Sequence, residues 1–135
     1  MIQPLFIFSD WGILILRLVL ALILIAHGLP KIKNLKTTAQ GFKEIGFKPA
    51  KFWAFIAAVA EFFGGLMLLV GFLTQLVALI IAIGFLVILL KLKAKQKFHN
   101  SELEFLILAA ALALLTLGGG TISLDQYWLI YLYSI

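Results

Sequence analysis

The sequence lacks cysteine and has few charged residues, and each shortage excludes a class of protein. Without cysteine, the 135-residue chain cannot form disulfides, thiolate metal sites, iron–sulfur clusters or thiol redox centres. Charged residues make up 13% of the chain and hydrophobic residues 64%, which is more apolar surface than a soluble domain of this length can bury. The sequence therefore predicts an integral membrane protein. Its net charge of +5 then concerns membrane topology and anionic lipid headgroups rather than nucleic acid.

Four apolar runs are long enough to be membrane-spanning helices, and none alternates with the period of a β-strand. We expect an all-α fold, a polytopic bundle of four transmembrane helices that forms one domain over residues 1–135. Apolar residues recur at helical spacing from Leu35 to Ile45, which predicts a short interfacial helix between the first two spans. The spans are predicted at about residues 11–29, 52–72, 74–92 and 103–120.

Glycine and proline set the predicted ends of these spans. Gly28-Leu29-Pro30 is expected to close the first span, and Gly118-Gly119-Gly120 is expected to stop the last. The second and third spans are separated by so few residues that we expect a tight hairpin. Aromatic residues between Tyr127 and Tyr133 are typical of an interfacial aromatic belt.

The lysines lie in or beside two loops, and this predicts the orientation of the chain. The loops on the opposite side contain neither lysine nor arginine. Positive charge favours the cytoplasmic side, so both basic loops are expected in the cytoplasm and both termini outside. The lysines are Lys31, Lys33, Lys36, Lys43, Lys48 and Lys51 in the first loop, and Lys91, Lys93, Lys95 and Lys97 at the second.

Two ionisable residues, Arg17 and Glu61, interrupt the first and second spans. A charge at bilayer depth costs about 3 kcal/mol or more, so it requires a partner, a wet cavity or a function. Counted from the predicted cytoplasmic ends, Arg17 lies roughly 18 Å deep and Glu61 roughly 13 Å. We therefore expect an Arg17–Glu61 pair inside the bundle. The pair could be a structural ion pair or the centre of a function, and both interpretations stay open.

A second polar layer, His27, His99 and Glu104, is expected near the cytoplasmic face. Imidazole and carboxylate groups at one level could relay protons or hold the headgroup of a small ligand. A capping box that begins at Ser101 would explain Glu104 equally well, and His99 fits a solvated loop. No metal site is predicted, because no two of these side chains share a helix at the spacing of metal ligands.

Several short motifs occur together in the order of a known family, and they cover almost the whole chain. With them, the sequence resembles the DoxX family of small four-helix bacterial membrane proteins. The resemblance implies a bundle in the bacterial cytoplasmic (inner) membrane. The motifs are Arg17 followed by His27-Gly28-Leu29-x-Lys31, then Ala60-Glu61-Phe-Phe-Gly64-Gly65-Leu66 leading to Leu69-Val-Gly71-Phe-Leu-Thr74, then His99 with Glu104, and Gly118-Gly119 before Ser123-Leu124-Asp125.

The resemblance also implies where the chemistry lies and what it does. Arg17, His27, Glu61, Glu104 and Asp125 are the implied positions for ligand binding or proton handling, and no catalytic residue is assigned. One related group is a subunit of a thiosulfate:quinone oxidoreductase, and other relatives act through partner proteins in oxidative-stress complexes. Our leading hypothesis is an accessory subunit without a covalent cofactor.

On this hypothesis, the subunit binds a quinone or another lipid-like molecule in an apolar slot beside the Arg17–Glu61 pair. It would work with membrane lipids around it and with a protein partner or a second copy of the chain. The alternatives are a quinone-linked oxidoreductase subunit of the thiosulfate:quinone type and a proton-coupled small transporter or channel.

Overall fold

The all-α fold is confirmed across the part of the chain that the computed structural model describes, residues 8–93 and 101–134. These residues form six helices and no strand. Three of the described helices are long and apolar enough to cross a membrane. In order along the chain, these three are the first, third and fourth helices. In chain order the helices are α1 (Ser9–Lys33), α2 (Leu35–Glu44), α3 (Ala50–Val70), α4 (Thr74–Lys93), α5 (Glu102–Leu117) and α6 (Leu124–Tyr133).

Helices α1 and α3 lie antiparallel and very close together because glycines face the contact. A Cβ atom on Gly28 would lie only 2.5 Å from the backbone nitrogen of Phe62. A Cβ atom on Gly65 would lie 2.8 Å from Cγ1 of Ile25. Side chains larger than hydrogen would push the helices apart at both levels, as is usual for small-residue contacts between membrane helices.

The core lies between α1, α3, α4 and α5, and the outer faces are apolar as well. Leu20, Leu24, Leu68 and Leu114 are fully buried at its centre. Large apolar side chains cover the outside of the three candidate spans, which is the surface expected to face lipid. These outward side chains include Val19, Leu22, Ile80, Ile83 and Leu90.

The helix predicted between the first two spans is present as α2. Its apolar side packs on α3, where Ala39 and Phe42 are buried together with Phe47 and Ala54. Lys36 and Lys43 lie along the edge of this buried side and are exposed. The spacing of apolar residues therefore identified the helix and its buried face.

One predicted helix end and the predicted tight turn are correct, and the other predicted helix end is wrong. Gly118, with φ of 75°, ends α5 after Leu117, and a three-residue turn joins α3 to α4. Pro30 does not end α1, which continues to Lys33. Proline inside a helix removes one backbone hydrogen bond and its ring crowds the carbonyl four residues earlier, yet α1 continues for three residues beyond it. The tail was predicted only as an aromatic belt, and it contains a further helix, α6.

Candidate functional site

Glu61 is buried in α3 and its carboxylate pairs with Lys31 of α1. The Lys31 ammonium donates to both carboxylate oxygens, at 2.5 Å to Oε1 and 2.7 Å to Oε2. Glu61 is 2% exposed, whereas the Lys31 side chain is 26% exposed. The ion pair thus neutralises a buried carboxylate with a cation that keeps some access to solvent.

The predicted Arg17–Glu61 pair is wrong, and the register between α1 and α3 is the reason. Gly28 lies against Phe62, so Glu61 is level with the last turns of α1. Arg17 is eleven residues earlier in that helix, or roughly 16 Å along its axis. The depth estimate failed mainly because it treated the cytoplasmic ends of the two spans as level, whereas α3 begins about seven residues beyond the end of α1. It also ended the first span at Pro30 and therefore counted Lys31 among the loop lysines.

Arg17 instead binds the loop between α5 and α6. Its Nη1 donates to the carbonyl oxygen of Gly119 at 2.5 Å, and its Nη2 donates to that of Ile122 at 2.8 Å. The side chain is 2% exposed, and its Nε has no hydrogen-bond partner in the described residues. One buried cation therefore connects α1 with a loop more than a hundred residues later in the chain.

Gly71, at the turn between α3 and α4, gives Arg17 the space to reach that loop. Its φ of 74° lies in the left-handed region that favours glycine. A Cβ atom there would lie 2.5 Å from Cβ of Ser123 and 2.8 Å from Nη1 of Arg17. Both the backbone conformation and the available space therefore require glycine at this position.

Asp125 joins the same region by capping the start of α4. Its Oδ1 accepts from the backbone N–H of Leu73 at 2.6 Å, and its Oδ2 accepts from that of Thr74 at 2.8 Å. Its own backbone N–H donates to the carbonyl of Gly71 at 2.9 Å. A carboxylate is favoured at the first turn of a helix, and this one also acts through space on the Arg17 charge.

These residues form a polar group, buried except for the part-exposed Asp125, that we call the arginine cluster: Arg17, Thr74, Gly119, Ser123 and Asp125. Thr74 is fully buried, and its Oγ1 has no hydrogen-bond partner in the described residues. The Ser123 hydroxyl donates to the carbonyl of Gly120 at 2.7 Å. The cluster therefore brings together α1, the first turns of α4 and α6, and the α5–α6 loop.

A pocket of about 810 Å³ opens beside the arginine cluster. Thr74 and Asp125 from the cluster lie in its wall together with the backbone of residues 118–121. Phe72 and Trp128, whose rings are 6.3 Å apart, form an aromatic part of the lining. The remaining lining residues are Asp10, Ile13, Leu73, Gln75, Leu76, Leu117, Gln126, Leu129 and Leu132.

The second polar layer is not assembled as expected in the described part of the chain. His27 is exposed on α1, and Glu104 is part-buried in the first turn of α5. No hydrogen bond or ion pair joins these two described side chains, and His99 lies outside the described residues. Ser101 precedes α5, but its side chain makes no capping hydrogen bond, so the capping box is not formed.

Sequence reasoning missed Lys31 and Thr74, and Lys31 had a signal that could have been used. Arg17 and Lys31 are fourteen residues apart, which is close to four helical turns and puts them on one face of α1. Both also belong to the motifs that carry the family resemblance. The role of Thr74 depends on a loop that folds back from a distant part of the chain, and no local pattern indicates it.

A model of the DoxX family matches residues 12–94, well over half of the chain. The chain belongs to the DoxX family. It is also 30% identical over 117 residues to a protein of Bacillus subtilis (strain 168) named "Putative oxidoreductase CatD", covering 86% of each chain. No solved structure matches it. The resemblance found in the sequence motifs is thereby confirmed, and DoxX membership together with the apolar helices identifies a membrane protein.

Proposed function

We propose that this DoxX protein is an accessory membrane subunit that binds a quinone, or a lipid with a similar headgroup, in the pocket beside the arginine cluster. The pocket itself carries this proposal. Its volume of about 810 Å³ and its largely apolar and aromatic wall are typical of sites for lipid-like cofactors. Such sites add a few polar groups that orient the ligand, and here Thr74 and the glycine loop supply them.

The residues of the pocket fit a quinone headgroup. A quinone is a flat apolar ring with two carbonyl acceptors, and it supplies two-electron redox chemistry when it is bound. The Thr74 hydroxyl is buried behind the pocket wall and has no hydrogen-bond partner in the described residues, so on this proposal it turns toward the pocket and donates to one carbonyl. Phe72 and Trp128 offer apolar ring surface. Arg17 acts from behind the loop by fixing the Gly119 and Ile122 carbonyls.

Electrons for a bound quinone would come from a partner protein. The chain has no cysteine and therefore no thiol or iron–sulfur route of its own. The B. subtilis relative is named an oxidoreductase, which supports a place for this family in redox chemistry. A membrane subunit that positions the quinone while its partner transfers the electrons agrees with the lack of cysteine and with the name of the relative.

The proposal includes a topology with four spans in the bacterial cytoplasmic membrane. Helix α5 has 16 residues and would be the fourth span, at roughly 24 Å long. The basic loops would face the cytoplasm, and both termini and the pocket would face outward. The absence of cysteine makes a clean test available, because a single introduced cysteine is the only thiol.

Thr121→Cys and Lys48→Cys report on the two sides of the membrane. A membrane-impermeant maleimide should label Thr121→Cys in intact cells and Lys48→Cys only after the membrane is opened. The reverse pattern would overturn the orientation, and labelling of both in intact cells would overturn the number of spans.

Tryptophan fluorescence tests the quinone site. Purified protein in lipid nanodiscs is titrated with decylubiquinone, and we expect saturable quenching because Trp128 lines the pocket. The measurements use a Trp11→Phe background, because Trp11 adjoins Asp10 of the pocket wall. In this background the quenching should disappear in Trp128→Phe and persist in Trp53→Phe, since Trp53 packs near Phe47 and Phe52 elsewhere.

A second variant separates binding from the reporter. Thr74→Val keeps the shape and Trp128 but removes the hydroxyl, so affinity should fall about 5- to 10-fold, equivalent to about 1 kcal/mol. Equal quenching in Trp128→Phe and Trp53→Phe, or no change in Thr74→Val, would contradict a site at this pocket.

A quinone-linked oxidoreductase is the second candidate, and the name of the B. subtilis relative favours it. On this alternative the chain itself passes electrons from a small reductant to the quinone. Reduction of decylubiquinone by the isolated protein with thiosulfate or sulfite would support it. Activity that appears only after a partner is added would support the accessory role.

A further inference from the structure

A second pocket, of about 590 Å³, lies between α2 and the start of α3 and is rich in lysine. We call it the lysine pocket; Lys36, Lys43 and Lys51 line it, together with Gln40 and Glu44. Three cations and one carboxylate give its wall a net charge of +2. It is separate from the arginine cluster and from the site of the proposed function.

The fold brings these lysines together through the packing of α2. Ala39 and Phe42 bury one side of this helix against α3. Lys36, Gln40 and Lys43 form a strip along the edge of that buried side, because residues three and four apart are neighbours on a helix. Lys51 joins them from the first turn of α3.

Helix α2 must lie near a membrane surface, because short connections tie it to two candidate spans. One residue, Asn34, separates it from α1, and residues 45–49 separate it from α3. Exposed aromatic side chains, Phe52 and Phe55, continue along α3 beyond the lysine pocket. A positively charged pocket therefore adjoins an apolar surface that is suited to acyl chains.

We propose that the lysine pocket binds the phosphate of an anionic phospholipid headgroup, with the acyl chains on the exposed face of α3. Lysine ammonium groups and the Gln40 amide are donors to phosphate oxygens, and basic residues beside membrane helices attract anionic lipid. A soluble phosphate would share the headgroup chemistry, but it would gain nothing from the adjacent apolar face.

Native mass spectrometry of the detergent-solubilised protein tests the site with three probes: phosphatidylglycerol, phosphatidylcholine and inorganic phosphate. We expect phosphatidylglycerol to bind at least tenfold more tightly than phosphatidylcholine. Millimolar inorganic phosphate should not displace it. Equal binding of the two lipids would overturn the proposal, and displacement by inorganic phosphate would reassign the pocket to a soluble anion.

Two double variants of equal charge separate the pocket from general surface charge. Lys36→Gln/Lys43→Gln should weaken phosphatidylglycerol binding about 10- to 30-fold, from about 1 kcal/mol for each lysine. Lys33→Gln/Lys48→Gln removes the same charge from exposed positions outside the pocket and should change binding less than about threefold. Equal losses in the two variants would overturn the assignment.

Discussion

Arg17 and Glu61 are both buried charges in candidate membrane spans, but the protein satisfies them in different ways. Glu61 pairs with the charged Lys31 on the neighbouring helix. Arg17 donates to two neutral carbonyls of a distant loop, at Gly119 and Ile122. The first arrangement neutralises a charge, whereas the second uses a charge to hold a loop in place.

This difference predicts different consequences when a partner is lost. Loss of Lys31 leaves an uncompensated carboxylate in the interior, which is costly at low dielectric. Loss of Arg17 leaves two neutral carbonyls without this donor, while the Asp125 carboxylate keeps its bonds to the N–H groups of Leu73 and Thr74. It also releases the loop that lines the proposed quinone pocket. Stability should therefore depend most on the ion pair, and ligand binding should depend most on the arginine cluster.

The largest effect on stability is expected for Lys31→Met. Removing one member of a buried ion pair costs about 3–5 kcal/mol because the other charge stays buried. The free energy of unfolding, measured by denaturant titration in mixed micelles, should fall by about that amount. Lys33→Met is the matched control, because Lys33 lies two residues later in α1 and is exposed.

The two members of the pair should not be equivalent. Glu61→Gln should cost less than Lys31→Met, because the Lys31 side chain is already 26% exposed and its ammonium can turn to solvent. The double variant Lys31→Met/Glu61→Gln should recover part of the loss. If Lys31→Met were no more destabilising than Lys33→Met, the Lys31–Glu61 pair would not be the main electrostatic contribution to stability.

The next largest effect is expected for Arg17→Met. The carbonyls of Gly119 and Ile122 lose charge-assisted hydrogen bonds, but the cost of burying the guanidinium is also removed. The free energy of unfolding should therefore fall by about 2–4 kcal/mol in total. Saturable quenching of Trp128 by decylubiquinone should also be lost, because the loop at Gly119 is released. Lys31→Met should retain that quenching wherever the protein remains folded, and the opposite result would reverse the assignment of roles.

Gly71→Ala tests the space that Arg17 occupies. A left-handed backbone conformation costs alanine about 1–2 kcal/mol, and the contacts with Ser123 and Arg17 add to this. We expect the free energy of unfolding to fall by about 2–3 kcal/mol. Gly84→Ala is the control, since nothing lies within 4 Å of its added methyl group, and it should be neutral or slightly stabilising. A similar loss in both variants would mean that the close contacts at Gly71 contribute little.

Local patterns in the sequence predicted the helices and several of their ends. The apolar runs identified α1, α3, α4 and α5, and the spacing within residues 35–45 identified α2 with its buried side. Gly118 identified the end of α5. Each of these features depends on neighbours in the sequence, so one sequence was enough.

The pairing of the charges could not be predicted, because it depends on register and on backbone atoms. Arg17 and Lys31 are fourteen residues apart along α1, and the contact of Gly28 with Phe62 sets the register that brings Glu61 to Lys31. The acceptors for Arg17 are carbonyl oxygens, which every residue carries and which no sequence pattern distinguishes. Tertiary packing therefore assigned the partners.

The smallest effect is expected for Asp125→Asn, and it separates capping from charge. Asparagine keeps one acceptor for the N–H groups of Leu73 and Thr74 and loses the negative charge, so stability should fall by about 1 kcal/mol. Asp10→Asn is the control, because Asp10 accepts one weaker bond, at 3.3 Å from Thr121, and should change stability by less than about 0.5 kcal/mol. A loss in Asp125→Asn as large as that in Arg17→Met would mean that the Asp125 charge, rather than the loop carbonyls, is what makes a buried guanidinium tolerable. The arginine cluster would then resemble the Lys31–Glu61 pair, because in both places a cation of α1 would be stabilised by a carboxylate of another helix.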